Sequence, residues 1–154
     1  MQINPYLAFN GKCEAAFKFY EKVFGGKIVM MMKYGDSPMA DKMPPETKDM
    51  VMHARIMVGD EVLMGSDAPA QMYEPMKGMS VTVSIDKPAD ADRIFAALAE
   101  NGTVRMPIQE TFWAQRFGML TDADRAKVER VMTALMKMKK FELAALKRAH
   151  AGVE

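Results

Sequence analysis

The residues able to do chemistry in this chain are few and scattered. Two histidines occur, His53 and His150, with a single cysteine, Cys13. His53 sits in VMHARIMV, whose alternation places His53 and Arg55 on one strand face and Met52 and Ala54 on the other. If the His53 face lines a cleft, the imidazole can bind a ligand or transfer a proton near neutral pH. A hydrogen-bonded structural histidine is the competing reading. Tyr6 and Ala8 share a face of the opening strand, so Tyr6 either presents a hydroxyl to the cleft or packs as a ring. Asp67, in GSD, reads as a carboxylate at the cleft mouth or as a turn residue bonding its own backbone. ETFWAQ holds Glu110, Phe112, Trp113 and Gln115, aromatic rings flanked by polar anchors, as a small-molecule pocket requires. Packing in the core or against a second copy accounts for Phe112 and Trp113 equally well. Glu110 joins His53 as a candidate catalytic group.

Other chemistries find less support. One cysteine cannot make an internal disulfide, so a reducing cytoplasm is the expected compartment. Cys13 falls in the first turn of a helix, where the dipole can activate a thiol, or where a small residue simply packs. The 18 methionines cluster at residues 30–32, at Met50, Met52 and Met57, and at Met132, Met136 and Met138; thioethers fill irregular cores. A net charge of +1 offers nothing to nucleic acid or an anionic membrane, and Lys137, Lys139 and Lys140 read as a solvated face. No apolar run approaches the roughly 20 residues that span a bilayer. No secretory signal is expected at the N-terminus. A nucleotide-like cofactor needs a glycine-rich strand-to-helix turn, whereas Gly25-Gly26 ends a helix, so S-adenosylmethionine chemistry is not expected.

The elements that must position these residues come in two similar runs. INPYLAF reads as a strand and CEAAFKFYEKVF as a helix whose apolar face is Ala16, Phe19, Tyr20 and Val23. Asn10 or Gly11 opens the helix and Gly25 closes it. KIVMMM does not alternate, which suggests a strand covered on both faces. Residues 34–49, with Gly35, Pro38, Pro44 and Pro45, form a loop of lid length. VMHARIMV and EVLMGSD pair across a Gly59-Asp60 hairpin turn. After a linker at 68–78, MSVTVSI is a strand and Asp86 caps a helix with Pro88 in its first turn. Ala91, Ile94, Phe95 and Leu98 form that helix's apolar face, and Asn101-Gly102 ends it. TVRMPIQE carries Pro107, which predicts an edge or a bulge, and FWAQRFGMLT is a further strand. At 154 residues, with 49% hydrophobic and 27% charged composition, two small modules fit one soluble chain.

PYLAFNGKCEAAFKFYEKVFGG, MHARIMVGDEVLMGSD and ETFWAQRFGM, in that order, resemble the PhnB-like branch of the glyoxalase/bleomycin resistance/dioxygenase (vicinal oxygen chelate) superfamily. The resemblance implies an α+β fold of tandem βαβββ modules, 1–67 and 79–122, whose sheets curl around a cleft, usually in a homodimer. It also implies metal ligands on the opening strands, but those positions fall near Pro5 and Met79, neither a usual ligand for a catalytic divalent ion. No metal and no cofactor is therefore expected. Relatives continue into a closing strand, whereas here FGMLTD runs into ADRAKVERVMTALMKMKKFELAALKRAHAG. Thr121 with Asp124 reads as a capping box, Val128, Val131, Met132, Leu135 and Met136 as an apolar helical stripe, and Gly152 as its end. The closing strand is expected to be missing, with 123–154 a helical tail. The functional expectation is a cytoplasmic, metal-independent, small-molecule-binding homodimer that sequesters or senses its ligand. The rivals are a lyase or isomerase using His53 or Glu110 on a small polar metabolite, and an interaction module whose tail helix takes a partner.

Overall fold

Apolar spacing and stop signals place both helices correctly. The computed structural model describes residues 2–75, 78–123 and 129–136. Helix α1 (Cys13–Phe24) buries Cys13, Ala16, Phe17, Tyr20 and Val23, and Gly25 closes it in the left-handed conformation at φ 67°. Phe17 takes the central place the spacing gave to Phe19, which packs at the flank. Helix α2 (Pro88–Ala99) buries the expected Ala91, Ile94, Phe95 and Leu98. Its N-cap is Lys87, one residue beyond Asp86, and Pro88 takes the first turn, where its missing N–H is not needed.

Strands β1 (Tyr6–Phe9), β2 (Lys27–Lys33), β3 (Val51–Val58) and β4 (Glu61–Asp67) form one sheet in the order β1-β4-β3-β2. Strands β5 (Ser80–Ile85), β6 (Thr103–Gln109), β7 (Phe117–Ala123) and β8 (Glu129–Met136) form a second in the order β5-β8-β7-β6. The opening strand of each sheet runs parallel to the last strand, and the remaining pairs are antiparallel. This is the βαβββ unit twice. The β3–β4 hairpin turns at Gly59-Asp60 as expected, and β6 is both an edge and irregular around Pro107.

One apolar cluster unites the two units. Leu7, Phe9, Ala54, Ile56 and Leu63 of the first sheet meet α1, and Leu120 of the second meets Ile94, Phe95 and Leu98 of α2. Phe9, Phe17 and Tyr20 are fully buried, and each such large side chain contributes roughly 1.5–3 kcal/mol of transfer free energy. The packing leaves no room for a side chain at Gly65, where a Cβ would lie 2.8 Å from the Leu7 carbonyl and 2.9 Å from the Phe17 ring. Polar bonds cross between the units: the Tyr20 hydroxyl donates to Asp122 at 2.5 Å, and Arg93 donates to the Val23 carbonyl at 3.1 Å. The helices thus lie between the sheets. The opposite sheet faces are turned outward, leaving Tyr6, Met30, Ser80, Thr82 and Ser84 exposed.

The structure corrects four expectations. The closing strand is not missing: residues 129–136, read from their spacing as helix, form β8 in the middle of the second sheet. Open edges on β5 and β7 offer a full set of backbone partners on both sides, and that context outweighs local helical spacing. Thr121 lies in β7 and does not cap a helix; Asp124, Val128 and residues 137–154 of the expected tail lie outside the described residues. KIVMMM is an edge strand rather than a doubly covered one, with Val29 and Met30 nearly half exposed. The third-strand reading of FWAQRFGMLT holds only from Phe117, because residues 110–116 turn the chain between β6 and β7.

Since β5 is hydrogen-bonded in its sheet through β8, a chain ending at Ala123 strips β5 of its neighbour. Such a truncation should aggregate or lose the cooperative thermal transition of the intact chain, as followed by circular dichroism and light scattering. A truncation that melts like the full chain would contradict the pairing.

Candidate functional site

Register across the first sheet places one row of side chains on its outward face. Tyr6 pairs with Met64, Met64 with Arg55 and Arg55 with Met30. His53 follows two residues before Arg55 on the same face, in register with Met32. Tyr6 and His53, 47 residues apart in the chain, meet there: the phenol oxygen and His53 Nδ1 share a hydrogen bond of 3.2 Å whose direction follows the imidazole tautomer. Their rings are stacked at 5.8 Å between centroids, inclined by 30°. Both candidates therefore stand side by side.

Arg55 is the cation two residues from His53 on this face. Its Nη2 donates weakly to Met57 Sδ at 3.8 Å, while its Nε is buried with no hydrogen-bond partner among the described residues. The ion pairs of the described residues involve Glu14, Asp90 and Asp92, and none includes Arg55.

Residues 34–49, read as a lid-length loop, are held in three single 3-10 turns, Tyr34–Asp36, Ala40–Lys42 and Pro45–Thr47. Tyr34 N–H donates to the Met50 carbonyl at 3.0 Å and Gly35 N–H to that of Lys48 at 2.8 Å. Tyr34, which sequence reasoning missed, thereby reaches the end of the site. Its hydroxyl donates to the Asp67 carbonyl at 3.4 Å. Burial pushes its pKa above the ordinary tyrosine value, and the nearby Tyr6 and Asp67 charges push it the same way.

Asp67 is neither at a cleft mouth nor folded onto its own turn. It is 3% exposed, and its two carboxylate oxygens accept from Cys13 N–H at 2.9 Å and Val51 N–H at 2.8 Å. Lys12, at the N-cap of α1, makes no side-chain cap bond, so the cap arrives from β4 instead. With one oxygen on each buried amide, Asp67 clamps the start of α1 to the start of β3. Cys13 is fully buried beneath it, so its thiol is not offered to solvent.

Glu110, Phe112, Trp113 and Gln115 lie on the β6–β7 loop, which is closed by bonds between Thr111 and Ala114. Phe112 is 92% exposed and meets Trp113 edge-on at 4.3 Å; Trp113 in turn meets Phe117 at 5.6 Å. Glu110 and Gln115 are exposed, and this group belongs to the second sheet, whereas Tyr6 and His53 belong to the first. Pro5 and Met79 precede β1 and β5, and no three His, Cys, Asp or Glu side chains among the described residues converge. The donor set does not fit a divalent ion.

Among the described residues, hollows also lie elsewhere. One of about 500 Å³ sits at the junction of the units, against Pro5, Phe24, Val58, Val62 and Val81. Another of about 480 Å³ opens between Asn10, Pro44, Thr47 and Pro69. Neither is lined by His53 or Arg55. The outward face gathers the imidazole, phenol and guanidinium, and is therefore the better candidate despite being open in a single copy.

Residues 1–123 match the family described as 3-demethylubiquinone-9 3-methyltransferase. The crystal structure of protein PA1353 from Pseudomonas aeruginosa is 43% identical, covers 89% of this chain and 98% of its own, and superposes with a TM-score of 0.79. A PhnB protein from Bacillus cereus, which shares the methyltransferase name, is 25% identical over 89% of this chain and all of its own, with a TM-score of 0.72. A glyoxylase/bleomycin resistance protein/dioxygenase domain from Frankia is similar in fold alone, with a TM-score of 0.62 at 14% identity, covering 88% of this chain and 96% of its own.

Two measurements check this geometry. Asp67→Asn replaces a charged double acceptor with a group whose NH2 faces an amide donor, so urea denaturation should show a loss of roughly 2–4 kcal/mol. Tyr34 favours its neutral form in the folded state, so its contribution is fully present below the ordinary value of 10.0 and disappears as pH rises through the raised one. Alkaline absorbance titration should find the Tyr34 phenol ionising late, and Tyr34→Phe should remove one phenol's amplitude from the late part of the curve.

Proposed function

Because the chain belongs to the PhnB-like family described as 3-demethylubiquinone-9 3-methyltransferase, within the vicinal oxygen chelate superfamily, we propose that it binds a small molecule on the outward face of its first sheet, without a metal, as a cytoplasmic homodimer. The observation that carries this reading is the meeting of Tyr6 and His53 on that face, beside a half-buried Arg55. Thioether side chains in register with them supply an adaptable apolar surround with few polar anchors, the usual make-up of a small-molecule site. A single copy offers the site one wall. The second sheet turns the hydroxyls of Ser80, Thr82 and Ser84 outward, and a second copy would bring such a polar wall to face the first.

No methyl transfer is carried over from the family description. A nucleotide-like donor is held where a glycine-rich turn opens a helix, and the amide end of α1 is already taken by the Asp67 carboxylate. The rival reading, a lyase or isomerase, rests on the same hydrogen bond: a phenol on Nδ1 orients the imidazole and leaves Nε2 as the nitrogen for proton exchange.

Light scattering on the intact chain should give twice the mass of the monomer. A thermal-shift screen of small polar metabolites should find stabilising compounds whose effect is lost in His53→Gln and reduced in Tyr6→Phe. Turnover of such a compound, lost in the same variants, would establish the enzymatic reading instead. A monomer stabilised by no compound would overturn the binding dimer.

A further inference from the structure

Arg55 stands on the sheet face without the partner its chemistry requires. A guanidinium stays charged at any pH a protein tolerates and carries five donors in a rigid fork. In Arg55 the Nε is buried and bonded to nothing among the described residues, and Nη2 donates to a thioether sulfur 3.8 Å away. Thioether is a weak acceptor, so the buried part of the fork remains unsatisfied where solvent is partly excluded, and an unpaired donor costs most in such a place. The neighbours in register, Met64 and Met30, bring no charge. A soft metal cation, which a row of methionines alone would suit, is repelled by the guanidinium in the middle of the row.

Resting on the reading of this face as a ligand site, we infer that Arg55 anchors an oxyanion, a carboxylate or a phosphonate, at one end of a small and otherwise apolar ligand. A guanidinium edge matches two oxygens of such a group, and the partly desolvated setting strengthens the pair. The methionine side chains take the apolar body. His53 stands two residues along the face, Tyr6 in the same cross-strand row as Arg55, and the joined pair contacts the part of the ligand beyond the anion. The inferred ligand class is therefore a small organic monoanion or dianion instead of a neutral polar metabolite.

The test uses benzoate, phenylphosphonate and neutral benzamide against the full chain carrying [methyl-13C]methionine. Both anions should move the methyl signals of Met30, Met57 and Met64, with benzamide at least about tenfold weaker. Arg55→Gln should weaken the anions by roughly ten- to a hundredfold and leave benzamide unchanged, and Arg55→Lys, a point charge without the fork, should restore part of the loss. Where Arg55→Gln fails to fold by circular dichroism, the Arg55→Lys loss and the benzamide contrast decide alone. A preference for phenylphosphonate over benzoate, or the reverse, identifies the oxyanion. Equal binding of all three probes, unaffected at Arg55, overturns the anion anchor and leaves the small-molecule site standing. Failure of all three probes to move these methionines overturns both. Dissociation of the dimer by Arg55→Gln, with no anion effect, makes Arg55 a subunit contact and overturns the anchor.

Discussion

One buried carboxylate ties the first unit together. Asp67, at the end of β4, holds the first amide of α1 with one oxygen and the first amide of β3 with the other. Those partners lie 54 and 16 residues away in the chain. Lys12 leaves the helix without a local cap, so the orphan donor at its start depends on a strand formed much later. Each bond is charge-assisted and shielded from water, which makes it strong when formed and costly when lost. The position of α1 relative to β3, and with it the orientation of the face bearing His53 and Arg55, follows from this clamp.

From the clamp outward, two interactions decide which sheet faces are free. Tyr20 reaches Asp122 in the second unit, and Arg93 reaches back to the end of α1, so the helices become the shared interior. The apolar faces of both sheets are consumed by those helices. What remains outward on the first sheet is the alternate set, Tyr6, His53, Arg55 and the methionines between them. A strand period of two makes this partition complete, because every residue not spent on the core faces away from it. The open site is thus a direct result of where the core lies.

The C-terminal part of the second sheet shows where local reading fails. ERVMTALM has the spacing of an amphipathic helix, and no turn or proline in it argues otherwise. In the structure it pairs on one side with β5 and on the other with β7. A central strand has the backbone groups of both its edges satisfied by neighbours, and that tertiary pairing outweighs the local spacing. The symmetry of the first unit, whose last strand also inserts beside its opening strand, was the better guide.

Local physics was legible in the residues themselves. Apolar spacing set both helices, Gly25 ended one and Asn101 turned out of the other, Gly59-Asp60 turned a hairpin, and Pro107 marked an irregular edge, because each depends on neighbours within a few positions. The alternation of VMHARIMV likewise announced that His53 and Arg55 share a face. The tertiary structure alone decided the rest. It brought Tyr6 to His53, put Tyr34 against Asp67, spent Asp67 on two distant amides, left Arg55 without an acid, and turned ERVMTALM into a strand. Each of these depends on partners tens of residues apart, and no periodicity within a segment encodes which distant donor or edge will be waiting for it.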